Sequence, residues 1–192
     1  MSRVASHQPD EIRQLLEAGR AVAEGFLRDK GSIPAMMLAI SPEGLVLHSA
    51  ASTTHPEVKD DFAGACRLLA RANRAEAVVL ILEAWARIAP EGGQLDAAIR
   101  PSTAADRIEI VSLCAEVPGL QFCAIHNIHR SPSGKFSHLG DDQGIGGANV
   151  QGRFAAILPP TFPTDIEVRV ARRVLQGFGI NPDGTRINPL LN

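Results

Sequence analysis

The chain contains no tyrosine, one tryptophan and seven phenylalanines, so it lacks the ring platform on which proteins stack unpaired bases. Its 19 basic and 21 acidic side chains give a formal charge of -2, which is not the concentrated positive field that duplex binding relies on. Nucleic acid is therefore not an expected partner. No apolar run approaches the roughly 20 residues of a membrane-spanning helix, although 45% of the residues are hydrophobic. Met1 to Gln14 carries Arg3, His7, Asp10, Glu11 and Arg13 and shows neither the apolar stretch nor the small-residue cleavage site of a secretory signal. These absences predict a cytoplasmic protein without a membrane partner.

Cysteine is also scarce. Cys66, Cys114 and Cys123 each lie inside an apolar segment, where a free thiol behaves as a small buried hydrophobe. The expectation is three inert, unpaired thiols and a melting transition indifferent to reducing agent. A chain of 192 residues buries a core without disulfides or structural metal, and one domain over 1–192 is predicted.

Apolar periodicity supplies the elements. Ile12, Leu15, Leu16, Gly19, Val22, Ala23, Phe26 and Leu27 follow one helical face from Asp10 to Arg28, which Gly31 and Pro34 terminate. Two short apolar runs, Ala35 to Ile40 and Leu45 to His48, flank Ser41-Pro42-Glu43-Gly44 and read as a hairpin. Thr54, Pro56 and Glu57 carry a capping-box signature for a second helix, its buried face Val58, Phe62, Ala65, Cys66, Leu69 and Ala72. Ala77 to Leu82 is apolar at successive positions, the mark of a central strand covered on both faces.

Two more strands, Ile108 to Ala115 and Leu120 to Ile128, join through Val117-Pro118-Gly119, too short for anything but antiparallel pairing. Ser131-Pro132-Ser133-Gly134 closes another hairpin onto Phe136 to Leu139. Thr164 and Glu167 repeat the capping-box spacing before the helical period of Ile166, Val170 and Val174, giving a third helix to Gln176 that stops at Gly177. The glycine-rich stretch from Gly140 to Gly152 reads as a loop, with apolar character returning at Phe154 to Leu158, and 179–192 as turn chemistry and a partly disordered tail.

The predicted fold is α+β, an α/β two-layer arrangement of an antiparallel sheet of about five or six strands with helices against it, in the order α-β-β-α-β-β-β-(β)-α. Residues 8–139 form its core unit, 140–163 a Gly/Pro-rich connection, and 164–178 the last helix. That order over residues 10 to 139 resembles the roadblock-like and wider profilin-like folds. The resemblance implies a small dimerising scaffold or regulatory module rather than an enzyme, with residues 140 to 192 as an addition. Its expected partner is a protein or a second copy of itself, and sheet edges that need pairing point to a homodimer as well.

One segment suggests chemistry. His126-Asn127-Ile128-His129, followed by Ser137 and Asp141, resembles the motif of JAMM-type zinc hydrolases, two histidines one residue apart, then a serine and an aspartate. Here Asn127 stands at the first histidine position and Asp141 lies one residue beyond the spacing. A type I turn with a glycine bulge at 132–134 sets Asp141 opposite Ile125, on the order of 13 Å from His129, whereas zinc ligands each lie about 2 Å from the ion. Strand alternation sends His126 and His129 to opposite faces. No metal and no cofactor is expected, and the histidines read as structural.

Glu83, at the end of the apolar strand, is the carboxylate of most interest, since a buried charge demands a partner or a raised pKa. As a structural group it would pair with Arg107 or Arg130; as a chemical one it would join His126, His129, Asp141 and Asp142 in a metal-dependent hydrolase. Gly140 to Gly147 is like a phosphate cradle in composition only, with no lysine. Arg169, Arg172 and Arg173 read as a solvated helix face. The long stretch Ala89 to Asp106 reads as a binding loop or a disordered segment, emerging beside the 131–134 turn, and Arg100, Arg107 and Arg130 are the candidate binding residues of a non-enzymatic interaction protein.

Overall fold

The computed structural model describes residues 10–50, 55–87, 94–96, 98–142 and 154–187. Helix α1 (Asp10–Lys30) ends where Gly31 enters the left-handed region at φ 76° and its amide bonds the Leu27 carbonyl, a geometry glycine adopts without strain. Strands β1 (Met36–Ser41) and β2 (Gly44–Ser49) form the expected hairpin about Pro42 and Glu43. Helix α2 (Pro56–Ala72) is capped by His55 with no side-chain bond. The capping box expected from Glu57 is thus out of step by one position, and Thr54 lies outside the described residues.

Strands β3 (Ala77–Ala86), β4 (Ile108–Val117), β5 (Leu120–Arg130) and β6 (Phe136–Leu139) form the antiparallel meander. Helix α3 (Asp165–Gly177) begins with the predicted capping box: Thr164 Oγ1 accepts the Glu167 amide at 3.3 Å and the Glu167 carboxylate accepts the Thr164 amide at 2.8 Å. Its stop is later than predicted. Gly177 is still helical, and the left-handed residue is Gly179 at φ 70°, with the Ile180 amide on the Leu175 carbonyl.

The tail holds a strand that periodicity did not show. β7 (Thr185–Ile187) adds to the free edge of β2, completing a seven-stranded sheet in the order β6-β5-β4-β3-β1-β2-β7. Its approach is set by an Asx turn, in which Asn181 Oδ1 accepts the Asp183 amide and Asn181 Nδ2 donates to the Gly184 carbonyl. Residues 154–158, by contrast, form no strand.

Helices divide between the sheet's faces, so the α+β fold has three layers rather than two. On one face α1 buries Ile12, Leu15, Leu16, Ala23 and Leu27 against Leu38, Val79, Ile81, Val111 and Leu113, each large side chain worth about 1.5–3 kcal/mol. Gly19 lies on the same face, where a Cβ would make ordinary contact with Val79 at 3.4 Å. On the other face Phe62, Cys66 and Leu69 of α2 meet Met37, Ala39, Val78 and Leu80, and α3 packs Ala171 and Leu175 into the same cluster. The residues that give α3 its apolar period are not the ones it buries.

Cys66 is fully buried and burial pushes its thiol pKa up, in keeping with an inert core group. Cys114 and Cys123 are free as well, but they are neighbours. They are direct cross-strand partners, free thiols with Sγ atoms 2.6 Å apart.

Candidate functional site

Antiparallel pairing gathers the ends of β3, β4 and β5 at one edge of the molecule, and the loop after β3 and the 131–134 turn both leave from it, as strand direction requires. Arg87 closes the base of that loop with two bonds to Asp106, at 2.8 and 3.2 Å. Residues 88–93 and 97 lie outside the described residues.

Glu83 and Glu109 share this end with Arg130. The Arg130 guanidinium engages Glu109 by two bonds of 2.7 and 2.6 Å and donates to the Gly31 carbonyl at 3.1 Å. Glu83 instead accepts the Ile33 amide at 2.7 Å. Arg130 bonds Glu109 directly and reaches Glu83 only as a nearby opposite charge, while Arg107 lies over the Trp85 ring at 4.5 Å. Burial lifts the Glu83 carboxyl above the ordinary carboxylate range, the Ile33 amide opposes it, and the neighbouring Glu109 charge adds to the lift.

A folded-state pKa above the unfolded one means that the native state holds extra protons. The stability contributed is complete below pH 4.5 and is lost as pH rises through the raised value. Glu83→Gln keeps an acceptor for Ile33 and removes the titration. Its melting temperature is expected to fall less steeply than the wild type's as pH rises above 4.5, and parallel profiles would show that Glu83 titrates normally.

A cleft of about 950 Å³ opens at the same end. Leu82, Ile110 and Phe154 give it apolar walls, while Glu83, Lys59 and Arg100 supply charge. Trp85 stands at its rim, 43% exposed under Arg107, and Arg107 Nη1 also donates to the Ser102 carbonyl. The structure thus brings Glu83, Arg100 and the Trp85–Arg107 pair to one surface, with Arg130 behind them. This end of the molecule combines apolar walls with cationic side chains.

The histidines do not converge. His126 faces α1, is 3% exposed and donates Nδ1–H to the Gly140 carbonyl at 3.0 Å. His129 lies on the opposite face, exposed and stacked on His138 with ring centroids 4.5 Å apart. The turn at 131–135 is the predicted one, with Gly134 at φ 79°, but a bulge between His129 and Arg130 moves the register by one, to Ile128↔Leu139. Gly140 is bonded by Asn127 and His126, and the His129 ring lies beside it, its Nε2 3.1 Å from where a Cβ at 140 would stand. Glu83 and His126 do lie on one cross-strand row, through Val111, two strand spacings or about 10 Å apart. No group of three metal-ligating side chains occurs among the described residues, and the glycine loop beyond Asp142 lies outside them.

Two features escaped the sequence. Glu116 is a buried carboxylate whose Oε2 accepts the Ile157 and Leu158 amides at 2.8 and 3.0 Å, pinning residues 154–158 on the sheet. The second is the outer face of α3, where Ile166, Val170 and Val174 are 65%, 57% and 37% exposed between Phe162 and Phe178. The arginines of α3 are not one solvated row, because Arg172 bonds the Ala72 carbonyl and Asp183, and lines a groove against α2 together with Arg169.

The chain matches no family model, no curated protein and no solved structure. No helix among the described residues is long and apolar enough to cross a membrane.

Proposed function

We propose that the protein is a small non-enzymatic interaction module that works as a homodimer, pairing through the outer face of α3 and offering the loop end of its sheet, with Arg100, Arg107 and Arg130, to a protein partner. The observation that carries this reading is the exposed stripe on α3. Ile166, Val170 and Val174 recur at i, i+4 and i+8, with Phe162 before the helix and Phe178 after it. Exposed apolar side chains grouped on one helix face are the kind of patch that marks an interaction site on a monomer's surface.

A second copy is the occupant this face fits. Its central residues lie on one helix, so a two-fold axis near Val170 sets Val170 against its own copy and pairs the positions on either side of it reciprocally, as an isologous interface requires. The sheet edges offer less, since β6 has four residues and β7 three, and short edge strands resist pairing. The roadblock-like element order agrees with a dimerising module, and the hydrogen bond of buried His126 to Gly140 and the exposed stack of His129 favour binding over hydrolysis.

Val170→Cys tests the geometry. Two copies meeting at the axis bring the introduced thiols together, and mild oxidation is expected to yield a disulfide-linked pair as the main species, absent when Ile166→Asp is added. A chain that stays unlinked while folded would remove α3 as the contact.

A further inference from the structure

Cys114 on β4 and Cys123 on β5 are set equally far from the Pro118-Gly119 turn, which makes them exact cross-strand neighbours. Counted from the turn-closing pair Val117↔Leu120, theirs is a non-hydrogen-bonded position, where Cα atoms stand about 4.5 Å apart and side chains are closest. A disulfide accepts Cα separations of 4.4–6.8 Å. The sulfurs are already 2.6 Å apart, so bonding them requires no movement of the backbone.

Cys123 is 8% exposed, and Cys114 is partly buried against the cluster under α2 and α3. Ser112 Oγ lies 3.6 Å from the Cys114 sulfur on the same face, and Glu116 is the charged group beside the pair.

We propose that Cys114 and Cys123 form a redox-active dithiol that exchanges with small-molecule disulfides of the glutathione type. The Cys114 thiolate attacks one sulfur of the small disulfide, breaking its S–S bond, forming a mixed disulfide and expelling one thiolate. Cys123 then loses its proton to solvent and attacks the Cys114 sulfur, closing the cross-strand disulfide and expelling the second thiolate. The protein dithiol gives up two electrons and two protons, and the small disulfide is reduced to two thiols.

The protonation states support these roles. A hydrogen bond from Cys123 pulls the Cys114 thiol down to about 7 against the opposing effect of burial, with Ser112 assisting, while the same contact pushes Cys123 up. Cys114 is then a substantial thiolate near neutrality, the attacking form, and Cys123 is the resolving thiol.

The test uses the full chain, treated with excess oxidised glutathione, quenched in acid and alkylated for intact-mass and peptide analysis. Wild type is expected to lose two alkylatable thiols together and give a peptide linked 114 to 123. Cys123→Ala should stop at one glutathione per chain, on Cys114, and Cys114→Ala should take up none at Cys123 in that time. In the reduced protein the alkylation rate of Cys114 should reach half its plateau near pH 7. A folded wild type that keeps all three thiols free, while the chain in guanidinium does not, would overturn the proposal. So would glutathione appearing on Cys66 or Cys123 as fast as on Cys114.

Discussion

Glu116→Ala is expected to lower stability by about 2–4 kcal/mol, because it strips the acceptor from two amides at once and each orphaned group costs about 1–3 kcal/mol. In a chain of 192 residues this corresponds to a melting temperature lower by roughly 5–15 °C. The residue sits at the end of β4, 5% exposed, with its Oε2 between the Ile157 and Leu158 amides. Those bonds hold Ile157 in the cluster beneath α2 and α3, so their loss also opens apolar packing. Burial raises the Glu116 pKa while the Leu158 and Ile157 amides act in the opposite sense. Glu116→Gln keeps an acceptor and should cost less than half as much. A change below about 1 kcal/mol for the alanine variant, read by denaturant unfolding, would show that residues 154–158 are held by other contacts.

Val170→Asp is expected to separate the two copies without unfolding either. The side chain is 57% exposed in the single chain, and substitutions at such sites change folding stability by about 0.5 kcal/mol. At a two-fold interface the same change introduces two carboxylates facing each other in a dehydrated patch, a loss of about 3 kcal/mol or more, or a hundredfold or more in Kd. Leu175→Asp supplies the contrast, since Leu175 is fully buried on the inner side of the same helix and the charge there should unfold the protein. If Val170→Asp also unfolds the chain, α3 packs differently from the face described above.

Much of the fold was legible because its signals are local. Gly31 stops α1, Thr164 and Glu167 start α3, and the uniformly apolar run in β3 announced the two covered faces. What periodicity could not supply was direction. The stripe Ile166, Val170, Val174 marks α3 as a helix, yet the helix packs through Ala171 and Leu175, because small and medium side chains let it lie close on α2. β7 carries no period in three residues and depends on an Asx turn and on the free edge of β2.

The candidate site was half legible. Glu83, Arg100 and Arg107 do reach one surface, as strand direction implied, but which cation serves which carboxylate is decided by reach. Arg130 spans to Glu109 on the neighbouring strand, and Trp85 holds Arg107. The one-residue bulge beside His129 could not be foreseen from the turn residues, since the glycine bulge at 134 already accounted for the expected offset. The cysteine pair was within reach of arithmetic, because 114 and 123 stand symmetrically about the turn; reading each thiol by its own apolar segment concealed it.

The central claim is that this chain acts as a pair joined through α3. Sedimentation equilibrium of the reduced wild-type protein over a wide concentration range tests it most directly. The account predicts a mass rising to 40.8 kDa, twice the 20.4 kDa of one chain, with Val170→Asp held at the single-chain mass at every concentration. A wild-type mass that stays at 20.4 kDa at the highest concentrations would contradict it, as would a dimer that Val170→Asp leaves intact.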